Sequence, residues 1–111
     1  YDFAFNTDGI ATGVFIVRLP KGAKLFVNAV GIITPFNAAT TNVITLGYGA
    51  SYNELIASGD VNAGAAGYTD VARGKYLTFA EDKDLFLKYA QTGTAAAAGA
   101  GRLNLSWICG N

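Results

Sequence analysis

The stretch that decides the fold is AKLFVNAVGIITPFNAATTNVITLGY, residues 23–48. It contains two long runs with the patterning of β-strands, 25–34 and 42–48, and a polar segment, 35–41, that joins them. In the first run both alternating sets of side chains are largely apolar, which is unusual for a strand that turns one face to water. The pattern therefore predicts a strand that lies centrally in a sheet or at a protein–protein contact.

The other runs with strand-type patterning are shorter. Alternating aromatic residues at 1–5 and an apolar run at 12–19 predict two early strands. Residues 75–79 and 85–89 flank a charged tip, which is the pattern of a β-hairpin. The last run, 102–109, predicts an inward face made of Leu103, Leu105, Trp107 and Cys109.

Seven or eight short strands with Gly-rich turns predict an all-β protein, an antiparallel β-sandwich with long Gly/Ala-rich loops. Jelly-roll connectivity is one option within this class, and a barrel is the main alternative. A length of 111 residues predicts a single domain, 1–111. The longest irregular segment, 50–74, is expected to be a surface excursion that either wraps its own sandwich or serves a partner.

The charge composition narrows the classes of partner. Eight Lys and Arg balance eight Asp and Glu, so the chain has no basic field for nucleic acid or for an anionic membrane. Charged residues make up 14% of the chain, against about 25% in an average globular domain. We therefore expect a small-residue, nearly neutral surface that suits close packing against neighbouring proteins.

The residues available for catalysis are few. The chain contains no histidine, which removes the usual activated serine and cysteine nucleophiles and the commonest transition-metal ligand. The single cysteine, Cys109, is expected to be a buried, inert thiol and indicates synthesis in a reducing compartment. The acidic tip formed by Glu81, Asp82 and Asp84 is expected to be a solvated turn rather than a calcium site. No metal, cofactor or catalytic residue is assigned.

Four segments of the chain, in order, carry a resemblance to small structural proteins of tailed bacteriophages. They are FNTDGIATG at 5–13, FNAATTNV at 36–43, SGDVN at 58–62, and GTAA at 93–96 with GAG at 99–101. The resemblance implies a capsid decoration or cement protein, without enzymatic activity, that assembles as a homo-oligomer, a trimer, over junctions of the major capsid protein. It further implies a location in the virion after synthesis in the host cytoplasm, with no nucleic-acid or membrane partner.

Three functional hypotheses follow. In the first, the chain is a virion structural protein that contacts its neighbours through the segment 35–41. Phe36 places an apolar ring on this polar loop, and the ring must pack either on a partner or on its own sandwich. The alternative is a carbohydrate-binding or fibre-tip module in which loop tyrosines stack on sugars. A hydrolase using carboxylates such as Glu54 and Asp60 is a third, weaker hypothesis, since it needs two acids at a defined separation. The candidate interface residues are Phe36, Asn37, Tyr48, Tyr52 and Tyr68.

Overall fold

The computed structural model describes residues 1–109 and is built from seven strands in two antiparallel sheets. The prediction of an all-β sandwich of seven or eight strands is confirmed. A four-stranded sheet has the order β1-β7-β3-β5, and a three-stranded sheet has the order β2-β6-β4. The strands are β1 (Asp2–Ala4), β2 (Val14–Leu19), β3 (Ala23–Thr34), β4 (Thr41–Gly47), β5 (Gly67–Asp70), β6 (Lys83–Thr92) and β7 (Ala100–Cys109).

Strand pairing in the sandwich is nested. The first strand pairs with the seventh, the second with the sixth and the third with the fifth, while β4 meets the long excursion at an isolated bridge between Leu46 and Ile56. Successive strands therefore alternate between the two sheets along the whole chain. Within the part of the chain that the structure describes, no helix has the length and apolarity of a membrane span.

Strand β3 is central, as its two apolar faces predict, because β7 and β5 flank it. The next strand along the chain, β4, lies in the other sheet. The segment 35–41, which joins β3 to β4, therefore crosses from one sheet of the sandwich to the other. The register of β3 shifts between Leu25 and Val27, and this bulge changes which side chains face inward. Leu25 faces the core before the bulge, and Asn28, Val30 and Ile32 face it after the bulge, while Ala29 between them is also buried.

The predicted hairpin of 75–79 with 85–89 is wrong. Residues 85–89 lie within β6, which pairs with β2 and β4. The segment 75–79 is not a strand, since Tyr76 adopts a left-handed φ of 64° that interrupts the extended backbone. It runs along the start of β3 instead, where the amides of Tyr76 and Phe79 donate hydrogen bonds of 2.9 Å to the carbonyls of Leu25 and Ala23.

The excursion between β4 and β5 wraps its own sandwich and closes the core. Its side chains Leu55, Ile56, Val61 and Ala63 are buried in the same cluster as the strand residues. The fully buried Asn28 ties this part of the chain to β3. Its side-chain Nδ2 donates hydrogen bonds to the backbone carbonyls of Leu55 (2.8 Å) and Arg73 (3.0 Å). Its backbone carbonyl accepts a 2.7 Å hydrogen bond from the amide of Val71.

The inward face predicted for β7 is confirmed for Leu103, Leu105 and Trp107 and is wrong for Cys109. Leu103 is buried, Leu105 and Trp107 are partly buried against the core, and Cys109 is exposed. The expectation of a buried thiol is therefore wrong. The physical reason is that β1 pairs only with residues 100–102 of β7. Beyond Arg102, β7 has only β3 beside it, so Cys109 lies at a sheet edge.

Replacing Asn28 by alanine should leave the buried carbonyl of Leu55 without its donor, at a cost of about 1–3 kcal/mol, and should remove a hydrogen bond to the partly buried carbonyl of Arg73. We expect the midpoint of urea unfolding of Asn28→Ala to fall accordingly. The matched control is Asn53→Ala, an exposed asparagine of the same excursion, which should unfold within about 0.5 kcal/mol of wild type. Equal stability of the two variants would contradict the anchoring role of Asn28.

Candidate interaction surfaces

The ring of Phe36 faces inward, so its predicted role at an interface is wrong. Only 2% of the residue is exposed, and its ring centroid lies 4.7 Å from that of Tyr89 and 5.9 Å from that of Phe3. A Cβ on Gly99 would collide with this ring, which explains the glycine at that position. Of the two alternatives for Phe36, packing on a partner and packing on its own sandwich, the structure shows the second.

Asn37 is exposed, but its side chain holds two loops of this chain together. Its Oδ1 accepts hydrogen bonds from the amides of Ala97 (2.8 Å) and Ala98 (2.9 Å). The crossing segment 35–41 is thereby fixed to the Ala-rich loop before β7. Its polar atoms are used within the protein, and the residue lies at the rim of any contact made here.

Tyr52 belongs to an aromatic cluster on the outer side of the three-stranded sheet, which we call the narrow face. Its ring stacks on Phe86 with centroids 4.9 Å apart and planes 23° apart, and Phe15 meets Phe86 edge to face at 5.8 Å. Phe86 points outward because Leu85 and Leu87, on either side of it, are buried. Tyr52 therefore covers this sheet and is itself half-buried.

The loop that carries Tyr52 is held by a carboxylate. Glu54 Oε1 accepts hydrogen bonds from the amides of Tyr48 (2.9 Å) and Gly49 (3.0 Å). A Cβ on Gly47 would overlap this carboxylate, so the glycine makes room for it. Burial raises the pKa of Glu54, but the backbone hydrogen bonds lower it more, and its pKa lies below the ordinary value.

Tyr48 lies in a cleft of about 450 Å³ at one end of the sandwich. Its ring meets Phe79 at an angle of 64°, and the Lys83 ammonium lies 4.9 Å from the ring centroid. A cation over one face leaves the ring less open for stacking on a sugar. The other lining residues include Leu55, Arg73, Leu77 and Glu81.

Tyr68 lies on the outer side of the four-stranded sheet. It belongs to the edge strand β5, its ring lies over Gly31, and 64% of it is exposed. Tyr52 is on the opposite side of the sandwich, so the two rings cannot bind one sugar together. The expectation that loop tyrosines stack together on a sugar is therefore wrong for Tyr52 and Tyr68, because Tyr52 packs on the three-stranded sheet and Tyr68 belongs to β5 of the four-stranded sheet.

Several exposed apolar side chains lie on the outer side of the four-stranded sheet, which we call the broad face. It carries Val27 (36% exposed), Ile33 (61%) and Ile108 (54%) in addition to Tyr68. Sequence reasoning did not single out these three aliphatic residues. The signal was present in the two apolar faces of β3, but the bulge after Leu25 hid which side chains belonged to the outer one.

The charges on the broad face pair with one another. Arg102 Nε lies 2.6 Å from Asp2 Oδ1, and Lys75 Nζ lies 2.9 Å from Asp70 Oδ1. The hydrogen bond from Arg102 lowers the pKa of Asp2, so both partners of that pair remain ionised at neutral pH. Apolar side chains share this face with polar ones, because β7 turns its inward residues Leu103, Leu105 and Trp107 to the core and therefore points Arg102, Asn104 and Ser106 outward beside Ile108.

The acidic residues discussed as candidate ligands or catalysts have partners of their own. Asp84 pairs with Arg18, Asp82 accepts a hydrogen bond from the amide of Lys21, and Glu81 lies 3.7 Å from Lys83. Asp60 pairs with Arg73, and Glu54 holds its own loop. Residues 1–109 contain no group of three or more acidic, Cys or His side chains arranged to hold a metal ion.

Comparison with known proteins gives one informative result. A scan against protein-family models finds no match, and a search of curated proteins finds none either. Among solved structures, the chain is similar to a chain of the "Cyanophage Pam1 capsid asymmetric unit", with a TM-score of 0.72 and 18% sequence identity. The similarity covers 98% of this chain and 81% of that chain. At this identity the two chains share a fold.

Because the pKa of Glu54 is lowered by folding, its carboxylate stabilises the protein above the ordinary value of 4.5, and this contribution is lost as the pH falls through the lowered value. We expect Glu54→Gln to melt below wild type at neutral pH and the difference to shrink below pH 4.5. Thermal unfolding followed by circular dichroism across pH measures this. Glu81→Gln, at an exposed glutamate, is the control, and a pH-independent difference for Glu54→Gln would contradict the assignment.

Proposed function

We propose that this chain is a non-enzymatic structural protein of a virion, which decorates a phage capsid and stabilises it by bridging subunits of the major capsid protein as a trimer. The observation that carries the proposal is the shared fold over 98% of the chain with a component of a cyanophage capsid asymmetric unit. The ordered resemblance of four sequence segments to phage structural proteins supports the same class. The two arguments are independent, because one uses backbone geometry and the other uses residue identity.

The connectivity supports a jelly-roll interpretation of the sandwich. Nested pairing of first with last, second with sixth and third with fifth strand is the pairing of a jelly roll in which one strand is reduced to the bridge at Ile56. Jelly rolls occur in viral capsid domains and also in lectins. The fold alone therefore does not choose between the structural and the carbohydrate-binding hypothesis.

The surfaces favour the structural role. A sugar site needs an accessible aromatic platform with convergent polar groups. Tyr52 is stacked on Phe86, Tyr48 has a cation over its ring, and Tyr68 lies on the other side of the sandwich from Tyr52. The broad face, where exposed apolar side chains such as Ile33, Tyr68 and Ile108 lie among polar ones, instead matches the mixed composition of a non-obligate protein–protein interface. The cleft beside Tyr48 remains the place where the carbohydrate alternative would act.

The proposal is tested by sedimentation with capsids. Particles assembled from the major capsid protein encoded together with this chain, but lacking the chain itself, are mixed with increasing amounts of it and pelleted. We expect saturable co-sedimentation and a rise in the temperature at which the particles disrupt, because a bridging protein binds the intact shell and not the free subunits.

Particles of an unrelated phage provide the control for non-specific pelleting. If the chain stays in the supernatant at every ratio, the proposed function is overturned. Binding of the same preparation to a glycan array, lost in Tyr48→Ala, would transfer the assignment to the carbohydrate alternative.

A further inference from the structure

We propose that a neighbouring subunit of the major capsid protein adds an extended segment to the free edge of β7, in line with β1. The identity of the donor as a capsid subunit rests on the proposed function. The edge, residues 103–109 of β7, which we call the open edge, is defined by the backbone of this chain alone.

The open edge presents backbone groups that no strand of the chain uses within residues 1–109. β1 pairs with residues 100–102 of β7, and beyond them Tyr1 and Leu103 exchange two backbone hydrogen bonds of 2.8 Å. Backbone groups alternate between the two sides of a strand, so Leu105 and Trp107 turn their N–H and C=O groups to the same side as Leu103. Among the described residues, no hydrogen-bond partner lies on that side of Leu105 or Trp107. Such a row of unpaired groups is a template for another strand.

The open edge is regular and lacks the features that prevent strand addition. The register shifts of the β3–β7 pair place the extra residues on β3, so β7 runs without interruption. Residues 103–109 read LNLSWIC, with no charged residue and no proline. The edge of the other sheet on this side, β2, is interrupted by a bulge at Ile16. The edge that accepts a strand is therefore β7.

A groove along the open edge provides space for the side chains of the added segment. It has a volume of about 290 Å³ and lies between β2 and β7. Its apolar lining consists mainly of the partly buried Ile16, Val17, Leu105 and Trp107. The volume is below the roughly 300–1,000 Å³ of small-molecule sites, and none of the described residues that line the groove is charged. The groove therefore fits apolar side chains of a strand at the residues opposite Leu105 and Trp107.

The chain's own β1 shows how a strand uses this edge. Phe3 points between the sheets, where it is 4% exposed and stacks on Phe36. Its neighbour Asp2 points outward and pairs with Arg102. A segment in line with β1 repeats this alternation, with an apolar residue inward at every second position, and gains affinity from its backbone hydrogen bonds.

The occupant is a segment of a different subunit rather than a second copy of this chain. Every strand of the chain within residues 1–109 already belongs to a sheet, so a second copy would have to unpair a strand to supply it. A second copy can instead offer its own open edge. The inward side chains of that edge, Leu105 and Trp107, pack on its own core and cannot also enter this groove. An extended segment that has no sandwich of its own meets both requirements.

Amide hydrogen exchange of the wild-type chain tests the proposal. The free chain is compared with the chain bound to particles of the major capsid protein, and the exchange is quenched and read after release from the particles. In the free chain the amides of Leu105 and Trp107 should exchange at least about tenfold faster than that of Asn104, which faces β3. In the bound chain this difference should disappear, because the added strand accepts hydrogen bonds from both amides.

A charge in the groove provides a second measurement. Ile16→Lys should raise the concentration of chain needed for half-maximal pelleting with particles at least about tenfold, because a charged group is costly to bury without a partner. Phe15→Lys is the matched control on the same strand, since Phe15 is 53% exposed and lies on the narrow face, and it should pellet as wild type does. Circular dichroism establishes that both variants are folded.

The outcomes separate this inference from the proposed function. If the wild-type chain pellets with particles while Leu105 and Trp107 keep their fast exchange, the strand addition is refuted and the capsid role stands. If the chain does not pellet, the proposed function is refuted, and with it the capsid subunit as donor. Slow exchange of both amides in the free chain would also overturn the inference, because the edge would then be closed without a capsid subunit.

Discussion

The buried amide of Asn28 is the interaction on which the rest of the structure depends. Two donated hydrogen bonds and one accepted by its backbone hold the long excursion and the segment after β5 against the central strand. Because a buried amide NH₂ group without acceptors is costly, the two hydrogen bonds donated by Nδ2 favour this placement of the excursion over the others that a Gly-rich segment could adopt, and they outweigh the cost of Oδ1, which is buried without a partner. Once the excursion is fixed, Leu55 and Ile56 close the core, and the cleft beside Tyr48 takes its shape.

The two outer sides of the sandwich then acquire different characters. The narrow face is covered in part by the chain itself, because the loop held by Glu54 places Tyr52 on Phe86. The broad face carries exposed apolar side chains on β3, β5 and β7 among polar ones, and two of its ion pairs are internal to the chain. Exposed apolar side chains grouped on one sheet surface mark a candidate interaction surface.

The class of fold could be predicted from the sequence because strand periodicity and turn residues are local signals. The central place of β3 followed from its two apolar faces in the same way. Local signals could not reveal the bulge at Phe26, which moved Val27 to the outside, or the partners of β6, which lie far away in the sequence. Phe36 shows the same limit: its polar neighbours suggested exposure, yet Phe3, Tyr89 and Gly99, each distant in sequence, form the pocket that buries it. Of the five candidate interface residues, Tyr68 lies on the broad face.

The central claim is the proposal that the chain is a structural component of a viral shell. A three-dimensional reconstruction of the native particle tests it most directly, because it places every copy of the chain at once. The account predicts density for this sandwich over junctions between capsid subunits. A particle without this density would contradict it.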